Sequence, residues 1–271
     1  YHQYEAWVQA GVALGPFGAE KPSVVRVTDQ VNWDMWGIPD PNRAEPVVRG
    51  PRYQQPRLGG GTRRGLQKAR SPGGKYEVYT IPDLDPGMGP RHTYEYGDEP
   101  LELVASPLGW HSQGDNKTFT TTVGNNVCAQ ENQGNSFSRS CDDSIGCRPD
   151  GGAELDFVFG FDEQGDPRDQ PTLSAAVTNL FWWHNVVHDI FQLGGFDEPA
   201  GNFQESNMGL GGLGDDAVQA NAQDGAGFND ANFATPADGQ RPRCRMYLWN
   251  AFSPHRDGDF ESGIIIHEIG H

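Results

Sequence analysis

The sequence is poor in apolar and basic residues. Hydrophobic residues make up 35% of its 271 positions, and no apolar run approaches the roughly 18 residues that a membrane span needs. We therefore expect a soluble protein with no membrane partner. Lys and Arg total 20 against 37 Asp and Glu, a net charge of -17 at pH 7. Because this charge repels phosphate groups, nucleic acid is not an expected partner.

Cysteine is scarce as well. The four cysteines are Cys128, Cys141, Cys147 and Cys244, and none has the C-x-x-C spacing of zinc ribbons or redox pairs. We expect disulfide bonds, for which three pairings are open; Cys141 with Cys147 would close a short loop and leave Cys128 for Cys244. A glycosylation sequon begins at Asn116. Both features favour a secreted, extracellular glycoprotein.

Five residues near the end of the sequence carry the clearest chemistry. They read H-E-x-x-H, with His267, Glu268 and His271 at the fixed positions. On a helix, residues four apart lie on one face, so both imidazoles can bind one ion while Glu268 stays beside them. Imidazole nitrogen suits Zn²⁺, and this pattern is a known metalloprotease motif. The alternative is a structural histidine pair.

The residues before this motif favour the metal interpretation. Residues 264–266 are three isoleucines that belong in a core. Asp257, Asp259 and Glu261 supply the negative charge that a helix start favours. We predict an active-site helix over about residues 259–271.

The middle of the chain predicts an α+β fold. A helix is expected over about residues 172–193, bounded by Pro171 and by Gly194 with its following glycine, and apolar enough to be buried. His184 and His188 are four apart on it and offer a second candidate metal pair, although core histidines held by hydrogen bonds are the more common case. Short runs rich in β-branched and aromatic residues predict a mainly antiparallel or mixed sheet with strands at residues 75–81, 101–105, 117–123 and 155–161.

Polar stretches separate these elements. The segment from Cys128 to Asp150 and the Gly- and Asp-rich segment Gly209–Phe233 are both predicted to be loops. The second loop could bind Ca²⁺ through carboxylate and carbonyl oxygens, but it lacks the EF-hand order. Residues 243–249 alternate like a strand, with Cys244, Met246 and Leu248 on one side.

Several long motifs resemble the fungalysin family of secreted zinc endopeptidases. They are residues 105–111, 121–127, 175–204, 229–243 and 256–271. The match runs in the family's order from about residue 75, whereas residues 1–74 resemble at most the end of its propeptide. Arg63-Arg64, in a Gly- and Arg-rich stretch, is a candidate processing site of a zymogen or merely part of a solvated basic loop.

The resemblance implies a thermolysin-like plan for residues 75–271. It makes them the sheet-rich N-terminal lobe of a zincin, and it implies that His267 and His271 bind zinc while Glu268 acts as general base to a metal-activated water. Ala231 and Asn232 are implied to lie on an edge strand that binds the peptide substrate. Asp230 and His184 both stand where the family usually has Asn.

The family also has a third zinc ligand, a Glu on a later helix, and a helical C-terminal lobe. We therefore expect a fragment that is inactive until it is joined to that lobe, with its own propeptide as another partner. The alternative is a non-catalytic structural or binding fragment.

Overall fold

A computed structural model describes residues 74–96, 102–114, 117–136 and 148–271. The expectations for residues 1–73, including Arg63-Arg64, lie outside these ranges. Asn116, Cys141 and Cys147 lie outside them as well. Within the described ranges the fold is α+β, with mixed sheets and few helices, as predicted.

A three-stranded sheet lies at one side of the fold. Its central strand β1 (Lys75–Val78) pairs antiparallel with β2 (His92–Glu95) and parallel with β4 (Asp156–Phe157). Tyr76 of β1 is fully buried and stacks on Phe157 with ring centroids 5.5 Å apart. The alternation of buried and half-buried residues in β1 gives this sheet one apolar face.

A four-stranded sheet carries the site. Its order is β3 (Val127–Glu131), β5 (Val218–Ala222), β7 (Arg243–Met246) and β6 (Ala231–Ala234). The first three strands are parallel, while β6 runs antiparallel to β7 and forms an edge. Helix α2 (Thr172–Leu193) connects β3 to β5 in the chain, as a crossover between parallel strands requires.

Three of the predicted strands are wrong or too long. Residues 101–105 instead contain the short helix α1 (Glu102–Ala105). Residues 117–123 make only isolated bridges, and residues 155–161 contain only the two-residue strand β4. Strand propensity depends on side-chain packing, which these runs do not find along their whole length.

Two of the predicted loops contain strands of the four-stranded sheet, β5 inside it and β3 at its edge. The segment Gly209–Phe233 includes β5, in which every residue is buried, and the segment after Cys128 begins inside β3. Their polar side chains are buried because they pair with each other: Gln130 Nε2 donates to Asn221 Oδ1 at 3.3 Å. The polar composition of both segments therefore led to a prediction of loops where the structure has strands.

The register also rules out a Cys128–Cys244 disulfide, which belongs to one of the three open pairings. Cys128 of β3 lies opposite Gln219, whereas Cys244 of β7 lies opposite Ala220. Strand β5 separates the two cysteines by two strand spacings, about 10 Å, whereas a disulfide requires Cα atoms within about 7 Å. Because Gln219 and Ala220 are consecutive, the two cysteines also point to opposite faces of the sheet.

The two helix predictions agree with the structure better than the strand predictions do. Helix α2 has the predicted bounds; its first half is buried, but Ile190 near its end is 54% exposed. After β7 the chain forms the pair β8 (Leu248–Trp249) and β9 (Arg256–Asp257), a 3₁₀ turn and helix α3 (Ser262–Ile269), which is shorter than predicted. No helix in the described ranges combines the length and apolarity of a membrane span.

Candidate metal centre

The two histidines of the H-E-x-x-H motif converge at the end of α3. Nε2 of His267 and Nε2 of His271 are 3.2 Å apart, and the ligand atoms of both and of Glu268 lie within 4.8 Å of one another. In the part of the chain that the structure describes, this is the one cluster of at least three His, Cys, Asp or Glu side chains with such spacing. Two nitrogens bound tetrahedrally to one zinc ion would be about 3.3 Å apart, so the pair fits that metal.

The start of α3 is fixed by two other elements. Asn179 of α2 donates from Nδ2 to the Asp259 carbonyl at 2.7 Å, and its Oδ1 accepts from the Tyr79 N–H at 2.9 Å. The Ser262 hydroxyl lies 3.3 Å from the Tyr79 carbonyl. Phe260 packs on Phe161 with ring centroids 4.5 Å apart. These contacts fix where the metal helix leaves the core.

Burial weakens the negative charge that the sequence predicted before α3. Asp259 is fully buried, and its Oδ2 accepts from the Gln223 N–H at 3.0 Å. Burial raises the pKa of Asp259 well above its usual range and raises the pKa of Glu261 to about 7. The helix also begins without a side-chain cap. Burial, which sequence spacing does not reveal, thus disfavours the charged form of Asp259.

Burial and neighbouring charges shift the pKa values of the side chains in the motif. Desolvation lowers the pKa of His267, and His271 lowers it further. Both effects favour the neutral imidazole, which is the form that binds metal. Burial raises the pKa of Glu268, which is 6% exposed; His271 opposes this shift and Asp230 adds to it.

The edge strand β6 lies beside α3, and Ala231 and Asn232 are its first two residues. Ala231 is opposite Met246, whose carbonyl accepts from the Asp224 N–H on the far side of β7 at 2.8 Å. In an antiparallel pair this means that the Ala231 N–H and C=O point away from β7, towards the open edge.

The side chains of this strand occupy different faces. The Ala231 N–H is held by Asp230 Oδ1 at 2.9 Å. The Asn232 Nδ2 donates to the Tyr247 hydroxyl at 2.6 Å. Phe233, opposite Cys244, borders the same cavity as His184 of α2 and Ile269 of α3. The strand therefore turns Phe233 towards the helices and Asn232 away from them.

The histidines of α2 are arranged differently. His184 Nδ1 lies 2.9 Å from the Leu180 carbonyl, and burial lowers the pKa of His184 to about 4. His188 contacts Asp189 through Nδ1 at 3.0 Å and Gln204 through Nε2 at 3.0 Å. The structure does not gather this pair into a metal-type cluster among the described residues.

The fold and this site together define the class to which this protein belongs. The class is that of α+β proteins in which a helix with an H-E-x-x-H metal-type cluster ends beside an open sheet edge.

Comparisons with known proteins then identify the family. The model of the fungalysin metallopeptidase family (M36) matches residues 75–271. The chain is 43% identical over 198 residues to an extracellular metalloproteinase mep of Aspergillus flavus, covering 72% of this chain and 29% of the relative. It is 44% identical over 196 residues to extracellular metalloproteinase 5 of Trichophyton tonsurans, covering 72% and 30%. This chain belongs to the fungalysin family, and it spans less than a third of the length of these relatives.

Proposed function

We propose that this chain is part of a secreted, zinc-dependent endopeptidase. The observation that carries the proposal is the 3.2 Å approach of the two Nε2 atoms beside Glu268, in a chain of the fungalysin family. Relatives named extracellular metalloproteinases support both the activity and the location.

In this proposal His267 and His271 hold the zinc ion through Nε2. When bound, zinc supplies Lewis acidity, which polarises a peptide carbonyl and lowers the pKa of water. Two imidazoles are one short of the three protein ligands usual in catalytic zinc sites. We propose that the third ligand comes from polypeptide outside residues 1–271, since the relatives are much longer.

Glu268 is the proposed general base. Its carboxylate lies within 4.8 Å of both ring nitrogens and is largely shielded from solvent. It takes a proton from the attacking water and delivers it to the departing amine as the peptide bond breaks. Burial supports this role because it brings the pKa of Glu268 closer to neutrality, where proton transfer in both directions is efficient.

The substrate is proposed to lie extended along β6. The outward N–H and C=O of Ala231 can pair with a peptide backbone as a further strand would. The Ala231 N–H must first release its hydrogen bond to the Asp230 side chain before it can donate to the substrate. The carboxamide oxygen of Asn232 is proposed to accept a hydrogen bond from the substrate. Its Nδ2 donates to the Tyr247 hydroxyl and so fixes the strand.

The remaining parts of the proposal concern the whole protein. Residues 75–271 would be the N-terminal lobe of a thermolysin-like zincin, with a helical lobe beyond them and a propeptide end in residues 1–74. Glycosylation at Asn116 and a disulfide between Cys141 and Cys147 belong to the same proposal, which treats the protein as an exported zymogen.

The proposal also includes a Ca²⁺ ion in the Gly209–Phe233 segment. Both carboxylate oxygens of Asp216 already accept N–H groups, from Gln204 at 2.9 Å and from Gly239 at 2.9 Å. Asp224 similarly accepts from Asn132 Nδ2 at 2.7 Å. An ion there would depend on Asp215 and Asp230, the acidic residues of the segment that are exposed.

The direct test is casein hydrolysis by the secreted full-length protein. We expect a chelator to abolish hydrolysis and added zinc to restore it. A zinc-loaded protein that leaves casein intact would support the alternative of a non-catalytic fragment.

A further inference from the structure

Two carboxyl groups meet where the chain enters the turn before α3. Asp257 ends β9, and Asp259 lies two residues further on, in the 3₁₀ turn Gly258–Phe260. Asp259 is fully buried and Asp257 is partly buried. The two side chains are close enough for a hydrogen bond between them. Because a carboxylate only accepts hydrogen bonds, such a bond needs a proton on one of the two.

The N–H donors around this carboxyl pair are divided unequally. Asp257 accepts with both oxygens, Oδ1 from the Asp259 N–H at 3.0 Å and Oδ2 from Gln223 Nε2 at 2.5 Å. Asp259 accepts with Oδ2, from the Gln223 N–H at 3.0 Å. Its Oδ1 is buried and has no donor among the described residues. Oδ1 of Asp259 is therefore the oxygen of the pair that can carry a proton without facing an N–H group.

No cation offsets the charge of the pair. In the part of the chain that the structure describes, neither carboxyl group makes an ion pair with Lys, Arg or His. The neighbouring Arg256 is paired with Glu163 at 3.1 Å instead. The other titratable groups close to Asp259 are the Asp224 carboxyl group after β5 and the Cys244 thiol of β7. Two ionised members would thus place adjacent negative charges in the interior without a partner, which is costly.

Asp224 shows how a buried carboxyl group is satisfied when it has enough donors. It is 2% exposed, and its Oδ1 accepts from the Ala226 N–H at 2.9 Å. Its Oδ2 accepts from Asn132 Nδ2 at 2.7 Å and from Asn221 Nδ2 at 3.0 Å. Both oxygens have N–H partners, so no proton is needed to satisfy either of them. Asp224 is therefore the matched control for Asp259.

We propose that Asp257 and Asp259 hold one proton between them at neutral pH, as a carboxylic acid at Asp259 whose Oδ1–H donates to the Asp257 carboxylate. Gln223, the residue after β5, donates to both members, and Asn179 of α2 donates to the Asp259 carbonyl. The pair therefore lies where β5, β9 and α2 meet the turn that leads into α3. Loss of the proton leaves two carboxylates that repel each other there. The pair is a pH-sensitive junction at the start of the metal helix, whether or not the protein is a peptidase.

The direction of the pH dependence follows from the proton. Burial and the neighbouring Asp257 raise the pKa of Asp259 well above 3.8 on folding. Above pH 3.8 the folded chain therefore binds more protons at this residue than the unfolded chain does. The contribution of Asp259 to stability is full below pH 3.8 and is lost as the pH rises towards its pKa in the folded protein.

The first test compares Asn variants of the full-length protein by denaturant unfolding at pH 7. Asp259→Asn places an amide N–H where the proposed O–H donates and keeps an acceptor for the Gln223 N–H, so the unfolding equilibrium constant should not rise. Asp257→Asn turns an amide N–H towards a donor, and we expect the constant to rise at least about tenfold. Asp224→Asn should raise it similarly. Equal losses at Asp257 and Asp259, or an Asp259→Asn variant that does not fold, would overturn the proposal.

The second test follows the same unfolding between pH 5 and pH 6.5. We expect the wild type to lose stability relative to Asp259→Asn as the pH rises, with the ratio of their unfolding constants changing about tenfold per pH unit. That slope is the signature of one proton held by the folded protein alone. Curves that stay parallel over this range would remove the proton from Asp259.

Infrared spectroscopy detects the proton without relying on unfolding. At pH 7 we expect the wild-type spectrum to contain the C=O band of a buried, protonated carboxyl group, which shifts in D₂O and is missing from Asp259→Asn. A spectrum without that band would contradict the proposal. So would a crystal structure of the full-length protein with a cation between the two carboxyl groups.

Discussion

Two helices of this protein carry histidine pairs with the same spacing. Helix α2 contains His184, Asn185 and His188 in the order H-N-x-x-H, whereas the H-E-x-x-H motif begins in α3 and ends two residues beyond it, at His271. In α3 the two rings converge to 3.2 Å, at an end of the helix where His271 is exposed. In α2 the first ring is bound to its own helix and the second to Asp189 and Gln204.

The difference shows what the spacing itself determines. A separation of four residues places two side chains on one face of a helix, but hydrogen bonds decide where their nitrogens point. On α2 the hydrogen bonds are made within the buried core. On α3 the nitrogens face each other, with Glu268 beside them. Each prediction below tests one side of this contrast, from the largest expected effect to the smallest.

Removing the negative charge of Glu268, for which the α2 pair has Asn185, should have the largest effect. We expect Glu268→Gln in the full-length protein to lower kcat/KM on casein-derived peptides about a thousandfold, because the general base is lost. Zinc content should stay at one equivalent. Glu261→Gln, at the start of the same helix, is the matched control. Full activity of the Glu268→Gln variant would contradict the proposed mechanism.

Introducing the H-E-x-x-H motif into α2 should not make α2 bind zinc. Asn185 is fully buried, donates to the Phe181 carbonyl at 2.9 Å and accepts from Asn126. Asn185→Glu would complete H-E-x-x-H on α2, but we expect it to lower the free energy of unfolding by about 3 kcal/mol, because it buries an unpaired carboxyl group. Denaturant unfolding and zinc analysis measure both properties.

The exposed position Ile190 provides the control for that substitution. Ile190→Glu should change the free energy of unfolding by less than about 0.5 kcal/mol. A second equivalent of zinc in Asn185→Glu would show that spacing and residue type suffice after all.

Removing one histidine from each pair should affect zinc unequally. We expect His271→Ala to weaken zinc binding at least about a hundredfold, since it removes a direct ligand. His188→Ala should leave zinc affinity as in the wild type. Competition with a chromophoric chelator measures both constants. Equal losses would mean that the α2 pair takes part in binding.

The smallest expected effect concerns acid stability. The pKa of His184 falls from 6.5 to about 4 on folding because of burial. Below pH 6.5 the unfolded chain therefore binds more protons than the folded one, and stability is lost as the pH falls towards 4. From pH 6.5 to pH 5 we expect the wild type to lose about 2 kcal/mol more than His184→Phe. Parallel stability curves would contradict the buried, neutral ring.

Local patterns predicted the helices and the motif well. Helix α2 is bounded by Pro171 and Gly194 and is rich in apolar residues, so its limits depend on neighbouring residues alone. The placement of His267 and His271 on one face of the helix likewise follows from one helical turn. Such features require no knowledge of distant parts of the chain.

Features that depend on distant contacts were predicted poorly. Gln130 and Asn221 are 91 positions apart, and their pairing satisfies polar side chains that the buried strands β3 and β5 enclose. The sheet order that separates Cys128 from Cys244 depends on the same pairing. The buried Asp259 and the unpartnered His184 nitrogen also depend on elements packed from elsewhere.

Anomalous diffraction at the zinc edge from crystals of the full-length protein tests the central claim most directly. We predict a single strong peak about 2.1 Å from Nε2 of both His267 and His271. A map with no peak there, or with its peak beside the α2 histidines, would contradict the account.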